Sequence, residues 1–277
     1  RHIAPPIQRR PSPEGLRFLS QRGRGSIAER NAKLILMVGV LGVSASAILV
    51  RFSQAPSGVT AAYRLGWTVL LLLPVVLLRC RAELRRVTAR DLVLCGASGV
   101  LLALHFLTWF ESLKRTSVAS STVLVSTEVI FTALGFALFL HGKIPRLGVW
   151  AILLAFGGSA LLALSGGGGA GELSGNLLAL AAASAAAVYT LIGRIQRGHL
   201  STTVYTFLTY LACFLTLLLG TAAAGTPLTG YGGREWLIGL ALAVLCTLLG
   251  HSLFSWCLKY LSPSYVSAAK LCEPVFS

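Results

Sequence analysis

The sequence predicts an all-α membrane protein, a polytopic bundle of transmembrane helices. Of its 277 residues, 55% are hydrophobic and only 12% are charged, whereas soluble domains carry about 25% charged residues. A soluble fold of this size has too little interior to hide so much apolar side chain. The apolar residues also fall into repeated runs of about 20 residues, each long enough to cross a hydrocarbon core of about 30 Å as a helix.

Nine apolar runs follow a basic N-terminal tail. The tail, residues 1–33, holds eight basic residues and four prolines, and we expect it to be disordered and cytoplasmic. It does not resemble a secretory signal peptide, although an organellar transit peptide is an alternative. The predicted spans are, in order, Leu34–Phe52, Val59–Leu78, Leu92–Glu111, Val118–Leu140, Leu147–Ser165, Gly175–Gly193, Thr202–Gly220, Trp236–Cys257 and a ninth that begins near Ser264.

Basic residues are distributed unequally between the alternate loops. Eighteen Lys and Arg residues fall on the side of the N-terminal tail and four on the other side, while Arg64 and Lys270 lie inside predicted spans. Because basic loops stay on the cytoplasmic side, the N-terminus is predicted to be cytoplasmic in the cell membrane, with an organellar envelope membrane as the alternative. The net charge of +15 therefore reflects membrane topology, and no motif for nucleic-acid recognition accompanies it.

The sequence contains no signature of an enzyme or of a metal site. The six cysteines show no CxxC spacing and are expected to pack as small residues. A GxGxxG pattern over Gly166–Gly171 follows a membrane span without a βαβ unit, so residues 166–174 are predicted to be a Gly-rich linker. We therefore expect no catalysis, no metal and no cofactor, and the expected partners are the lipid bilayer and a small-molecule substrate.

Two segments of the chain are similar to each other. Leu113–Phe131 aligns without a gap on Leu258–Phe276, and five of the nineteen positions are identical, including Ser117 with Ser262 and Glu128 with Glu273. The copies are five spans apart, an odd number, so they run in opposite directions. Inverted repeats of this kind are typical of secondary transporters. We predict two inverted five-helix repeats, over residues 34–165 and 175–277.

The ninth run ends with the sequence after about 14 residues, which is too short to span a bilayer. A five-plus-five architecture also requires a tenth helix. We therefore expect the sequence to be truncated at its C-terminus, so that the second repeat is incomplete.

The segment ALHFLTWFESLKRTSVASSTVLVSTEVIFTALGFALFL, Ala103–Leu140, resembles the EamA branch of the drug/metabolite transporter superfamily. The EPVF motif at Glu273–Phe276, after SWCLKYLSPSYVSAAKL, resembles it as well. The resemblance implies ten helices in two inverted halves and the export of small metabolites across the cytoplasmic membrane. Members of this branch commonly carry a Gly-Glu pair after the fourth helix, where this chain has His141, Gly142 and Lys143.

Ionisable side chains inside the spans are the main candidates for function, since each costs about 3 kcal/mol or more when unpaired at mid-bilayer. Glu128 lies near the middle of the fourth span, and Glu273 lies at the equivalent depth of the ninth. Lys270 precedes Glu273 by three residues, so the two can pair on one helical face. Glu128 needs a partner on another helix, a water-filled cavity or a proton. We expect both carboxyl groups to face the space between the halves and to bind substrate or a coupling proton; a purely structural ion pair is the alternative.

Other polar and aromatic residues could line the same site. Arg64 either snorkels to the interface or presents its guanidinium group to a substrate carboxylate. His105 and His251 lie deep in their spans, where they either titrate near neutral pH or bond to a neighbouring helix. The candidate aromatic walls, for which packing or an interfacial belt is the alternative, are Tyr63, Trp109, Tyr189 and Trp256.

These observations favour a secondary transporter that exports small polar or amphipathic metabolites by alternating access, with a proton as the candidate coupling ion. A nucleotide-sugar or sugar-phosphate exchanger of the same superfamily is the first alternative, and it would need several basic residues facing the pore. An integral-membrane enzyme is the second, and it would need a cluster of nucleophile, acid and base.

The charge asymmetry makes the topology testable at the Gly-rich linker, which is predicted to lie outside the cell. In a variant with no other cysteine, Gly168→Cys should react with a membrane-impermeant maleimide in intact cells. Reaction only after permeabilisation would show that the orientation is reversed.

Overall fold

The structure, a computed structural model, describes residues 13–142 and 170–273 together with scattered positions between 146 and 161. Every regular element in these residues is helical. Seven of the helical segments are long and apolar enough to cross a membrane, and they coincide with predicted spans one to four and six to eight. Most of the fifth predicted span, the glycines at 166–169 and the residues beyond Glu273 lie outside the described residues.

Most of the regular elements follow one another within a few residues, whereas residues 140–169 separate the helix that ends at Phe139 from the one that begins at Ala170. The α-helices are α1 (Pro13–Phe52), α2 (Ser57–Arg79), α3 (Arg81–Leu84), α4 (Ala89–Arg115), α5 (Val118–Ser126), α6 (Glu128–Phe139), α7 (Ala170–Gln196), α8 (Thr202–Ala223), α9 (Gly233–Ala241), α10 (Ser252–Cys257) and α11 (Pro263–Ala269). A π-helix, Leu242–His251, joins α9 to α10, and a 3₁₀ turn, Lys270–Cys272, follows α11.

Two helices begin earlier than the sequence analysis predicted. Helix α1 begins at Pro13, so the second part of the tail is helical where disorder was expected. Proline suits the first position of a helix, and the segment that follows is rich in the good helix formers Leu, Arg, Glu, Gln and Ala. Helix α7 begins at Ala170, inside the predicted linker, with Glu172 in its first turn, where a carboxylate interacts favourably with the helix dipole. Apolar runs mark the membrane-embedded part of a helix and not its ends.

Polar contacts join several loops at one end of the bundle. We call it the Glu235 end, because the Glu235 carboxylate binds the Ser53 hydroxyl there. Thr116 donates a hydrogen bond to the side-chain oxygen of Asn176 over 3.0 Å, which joins the end of α4 to the start of α7. The Lys114 ammonium donates to the Ala55 carbonyl over 2.8 Å, beyond the end of α1. The end of α1 and the start of α7 therefore lie at the same end, so the first helices of the two repeats run in opposite directions.

The opposite end, which we call the Asp91 end, joins the loop after α2 to the loop after α7. One carboxylate oxygen of Asp91 accepts from the Gln196 amide over 3.2 Å and lies 2.8 Å from Nε2 of His199. Glu83 accepts from the backbone N–H of Ser201 over 2.6 Å. At this end, side chains of the first repeat thus form hydrogen bonds with the backbone and the side chains of the second repeat.

The packing of helix pairs follows the same symmetry. Helix α1 packs on the π-helix and α4 packs on α7, while α2 packs on α8 and α6 packs on α11. If spans one to four are exchanged with spans six to nine, the pair of α1 and the π-helix becomes the pair of α7 and α4. The pair of α2 and α8 and the pair of α6 and α11 each stay the same. An inverted repeat requires this pattern.

Helices α4 and α8 approach most closely at Gly99. A Cβ atom there would lie 2.5 Å from Cβ of Ala212 and 2.6 Å from the carbonyl oxygen of Thr209. Small residues allow membrane helices to pack this closely. One turn earlier on α4, Gly96 has no atom of the described residues within 4 Å of the corresponding position.

Gly99→Ala should therefore lower the free energy of unfolding by about 1–3 kcal/mol, because the backbone of α8 cannot move aside cheaply. Thermal unfolding of the purified full chain in detergent measures the effect. Gly96→Ala is the matched control and should unfold at or above the wild-type temperature, since alanine favours the helix. Equal unfolding temperatures for the two variants would contradict the close approach.

Candidate functional site

Two membrane segments are interrupted at their acidic residue. Helix α5 ends at Ser126, and α6 begins at Glu128. In the second repeat, α11 gives way to the 3₁₀ turn Lys270–Cys272, after which Glu273 resumes helical geometry. Glu128 and Glu273 are equivalent positions of the repeat. In both segments the backbone stays helical but tightens locally to i→i−3 hydrogen bonds, and a 3₁₀ stretch inside a helix often marks a functional hinge or local strain.

The two interrupted segments also begin alike. Ser117 caps α5, where its hydroxyl oxygen accepts from the backbone N–H of Ser120 over 3.0 Å. Ser262 caps α11 in the same way, with Tyr265 as the donor over 3.3 Å. A serine N-cap satisfies an N–H group that the first turn of a helix leaves free. The identity of these two serines in the repeat thus has a structural cause.

A small cavity lies beside the two interruptions. Its volume of about 30 Å³ holds roughly two water molecules. Residues from both repeats line it, and most of the polar ones are buried in the described structure. The lining residues are Val43, Ser46, Arg64, His105, Trp109, Val125, Ser126, Glu128, His251, Phe254, Lys270 and Glu273.

Seven of the ten candidate residues line this cavity, and Tyr189 lies beside it. The Tyr189 hydroxyl is 3.2 Å from the Ser255 hydroxyl, and its ring centroid is 6.3 Å from that of His251. The structure places the other two candidates, Tyr63 and Trp256, elsewhere. Each of them is next in sequence to a buried residue of the bundle. Because successive side chains of a helix point about 100° apart, such a neighbour can still face away from the cavity.

Tyr63 and Trp256 pack against other aromatic residues. The Tyr63 ring stacks on Trp236 near the Glu235 end, with centroids 4.0 Å apart. Trp256 packs on Tyr260 with centroids 4.6 Å apart. Neither contact brings these side chains to the cavity described above.

The cavity contains a buried ion pair between the repeats. The Lys270 ammonium lies 2.9 Å from both carboxylate oxygens of Glu128. Thr190 on α7 and Ser267 on α11 donate to the same carboxylate over 3.0 and 3.1 Å. Four hydrogen bonds, two of them from an ammonium group, are the coordination of an ionised carboxylate.

The partner of Lys270 differs from the one expected from sequence. The i, i+3 spacing predicted a local pair with Glu273, whereas Lys270 reaches across to Glu128 on α6. Glu128 has no basic residue on its own helix, so the packing of α6 on α11 supplies one. Glu273 lines the cavity and is 8% exposed.

Arg64 is fully buried and does not snorkel to the interface. Its Nε donates to the Thr247 hydroxyl over 2.7 Å, and its Nη1 donates to the Ser46 hydroxyl over 3.2 Å. The guanidinium carbon lies 4.2 Å from the centroid of the Phe106 ring, within the range of a cation–π interaction. Hydroxyl groups of α1 and the π-helix thus hold Arg64 at the cavity.

The two histidines lie on the same wall. Nδ1 of His105 is 3.0 Å from the carbonyl oxygen of Ala182 on α7, which is the bond to a neighbouring helix foreseen as an alternative. The His105 ring stacks near Trp109 with centroids 5.9 Å apart and lies 6.2 Å from His251. His251 ends the π-helix, an element that often occurs at functional sites.

Sequence reasoning missed the partners of the charged residues. Ser46 and Thr247, which bind Arg64, and Thr190 and Ser267, which bind Glu128, are small hydroxyl residues in apolar runs. Such residues are common in membrane helices because they can bond to their own backbone. Only their spacing relative to a charged residue on another helix would identify them, and that spacing requires the fold.

The buried pair generates a prediction about stability. Lys270→Met leaves the Glu128 carboxylate buried without its counter-ion and should lower the free energy of unfolding by about 3–5 kcal/mol. Thermal unfolding of the full chain in detergent measures this loss. Adding Glu128→Gln to Lys270→Met should restore part of it, since no unpaired charge then remains.

Lys259→Met is the matched control for this experiment, because Lys259 is exposed and should tolerate the change within about 0.5 kcal/mol. Lys270→Met and Lys259→Met with the same unfolding temperature would show that the pair contributes nothing.

Comparisons with known proteins agree with this architecture. A crystal structure of a protein superposes with a TM-score of 0.67 over 89% of this chain and 85% of that chain, at 21% sequence identity, and shows the same fold. A comparison with curated proteins finds no match. The sequence matches the EamA-like transporter family over residues 31–164 and 173–277. Because one match falls on each repeat, and together they cover most of the sequence, the chain belongs to the EamA-like transporter family of the drug/metabolite transporter superfamily.

Proposed function

We propose that the protein is a secondary transporter that exports small polar or amphipathic metabolites across the cell membrane by alternating access. The observation that supports this most directly is the cavity between the repeats, to which both repeats contribute buried ionisable groups. Ionisable residues at membrane depth are costly and usually functional. Inverted-repeat transporters bind their substrates near the midplane between such halves.

Contacts between the two repeats hold both ends of the bundle together in the described structure. At one end, Glu235 is 4% exposed and accepts from the Ser53 hydroxyl over 2.6 Å and from the Gln54 N–H over 3.1 Å. At the other end, Asp91 binds Gln196 and His199. A volume of about 30 Å³ admits no metabolite, so substrate entry requires one of these ends to separate while the other holds.

The asymmetry of basic residues supports the orientation of this cycle. The Asp91 end lies beside the Arg-rich loop after α2, and it is therefore the proposed cytoplasmic end. The Glu235 end is then the outer end. Export begins with separation of the Asp91 contacts and ends with separation of the Glu235 contacts.

We assign proton coupling to Glu273 in this scheme. Glu128 is held by Lys270 and two hydroxyl groups, an arrangement suited to a structural role. Glu273 lines the cavity at the equivalent position of the second repeat. The other ionisable groups that line the cavity are Arg64, His105, Glu128, His251 and Lys270.

The cavity favours this function over the alternatives. A nucleotide-sugar or sugar-phosphate exchanger needs several basic groups for a multiply charged substrate. Of the two basic residues other than histidine that line the cavity, Lys270 is bound to Glu128, which leaves Arg64. Membership of a transporter family also weighs against an integral-membrane enzyme.

Transport by the full-length protein in proteoliposomes tests the proposal. Counterflow of radiolabelled small metabolites, screened with amino acids and their analogues first, should exceed that of protein-free vesicles. Counterflow needs no ion gradient and so reports substrate translocation alone. Absence of counterflow across such a panel, including nucleotide sugars and sugar phosphates, would contradict a transporter of either kind.

Proton coupling has its own prediction. Glu273→Gln should abolish accumulation driven by a pH gradient while leaving counterflow largely intact, because the amide cannot carry a proton. Glu29→Gln, at an exposed position of α1, is the matched control and should transport like the wild type. A Glu273→Gln variant with an unchanged pH profile would show that Glu273 does not carry the coupling proton.

A further inference from the structure

Three nitrogen atoms at the cavity have no hydrogen-bond partner in the part of the chain that the structure describes. Among the described residues, six buried side-chain nitrogen or oxygen atoms have no partner, and three of them belong to residues that line this cavity: Nη2 of Arg64, Nε1 of Trp109 and Nδ1 of His251. These residues are 0%, 4% and 8% exposed. Each such atom costs about 1–3 kcal/mol when buried unsatisfied. Half of these unsatisfied atoms therefore lie at one small cavity.

The chemistry of these atoms defines the ligand. The Arg64 Nη2 and Trp109 Nε1 groups can only donate hydrogen bonds, and His251 Nδ1 donates in one of its tautomers. Donors require acceptors, and the fixed positive charge of Arg64 favours an anionic one. Thr247 and Ser46 already orient the guanidinium through Nε and Nη1, which leaves Nη2 as the nitrogen available to a ligand.

The size of the cavity restricts the anion further. About 30 Å³ accommodates a group of two or three heavy atoms, such as a carboxylate, and is too small for a phosphate group, which has about five. Phe106 lies against both the guanidinium of Arg64 and the ring of His251, at 4.2 and 5.4 Å from its ring centroid. Phe106 thus separates the Arg64 guanidinium from the His251 ring. Both of these groups line the cavity, and Phe106 does not.

We propose that Arg64, Trp109 and His251 form a subsite for the carboxylate group of the transported metabolite. This inference rests on the proposed transport function and narrows its substrates to organic acids and zwitterions. The carboxylate oxygens accept from the Arg64 and Trp109 N–H groups, with His251 as the third donor. The rest of the substrate occupies space that opens when one end of the bundle separates.

Binding of a minimal carboxylate tests the subsite without knowledge of the substrate. Purified full-length protein is unfolded thermally in sodium acetate, in sodium chloride of equal concentration and in acetamide. Acetate should raise the unfolding temperature, because a ligand that binds only the folded state stabilises it. Acetamide, which is nearly isosteric and uncharged, should not.

Trp109→Phe is the decisive variant, since it removes one N–H donor and keeps an aromatic ring at the cavity. It should weaken acetate binding about tenfold, the effect of one hydrogen bond to a charged group. Trp256→Phe is the matched control, because Trp256 packs on Tyr260 away from the cavity. Arg64→Gln should abolish binding, but it also disturbs the bonds to Ser46 and Thr247, so the Trp109 result decides.

Several outcomes would overturn the proposal. Stabilisation by chloride equal to that by acetate, with the same loss in Trp109→Phe, would assign the site to a halide. Stabilisation by acetamide, no stabilisation by acetate, or equal acetate binding by Trp109→Phe and wild type would each show that no carboxylate subsite exists.

Transport separates failure of this inference from failure of the proposed function. A metabolite that shows counterflow in proteoliposomes should lose it when its carboxylate is converted to the amide. Counterflow that tolerates this conversion and the Trp109→Phe change would retain the transporter and reject the subsite. Acetate binding that depends on Trp109, without counterflow of any metabolite, would retain the subsite and reject the transporter.

Discussion

The ammonium group of Lys270 and the carboxylate of Glu128 are counter-ions at a depth of the membrane where neither is stable alone. Each charge would cost about 3 kcal/mol or more without its partner. Their contact at 2.9 Å joins α6 of the first repeat to the segment after α11 of the second. Both segments leave regular α-helical hydrogen bonding at this point, and Thr190 and Ser267 donate further hydrogen bonds to the Glu128 carboxylate. The ion pair and the two local departures from α-helical geometry therefore lie together at the cavity.

Satisfied and unsatisfied polar groups are separated within the cavity. The Glu128 carboxylate accepts four hydrogen bonds from within the protein, so the pair positions the walls and this carboxylate offers little to a ligand. Arg64, Trp109 and His251 on the facing helices each keep one nitrogen without a partner among the described residues. A site that must bind and release a substrate needs both kinds of group. A rigid element fixes the geometry, and a set of donors is left unsatisfied until the ligand arrives.

The amino-acid sequence predicts much of this architecture and only part of its chemistry. Apolar runs locate the spans because the bilayer imposes their length, and Glu128 and Glu273 are conspicuous because charges are rare in such runs. The partner of Lys270 was not predictable, since local spacing favours Glu273 and only the packing of α6 on α11 brings Glu128 closer. The helical start of α1 at Pro13 was missed because polar composition alone does not distinguish a solvated helix from disorder.

The contacts at the two ends of the bundle suggest where motion occurs. The described contacts between the repeats at the Asp91 and Glu235 ends include hydrogen bonds to the carboxylates of Glu83, Asp91 and Glu235, and a hydrogen bond to a charged group contributes about 1.5–3 kcal/mol. Water replaces the lost partners when an end separates, whereas a charge left unpaired at membrane depth has no such replacement. Breaking the Glu128–Lys270 pair costs about 3–5 kcal/mol, and the pair lies between the two sets of contacts. The repeats are therefore expected to rock about the intact ion pair, so that the cavity opens to one side of the membrane at a time while its central geometry persists.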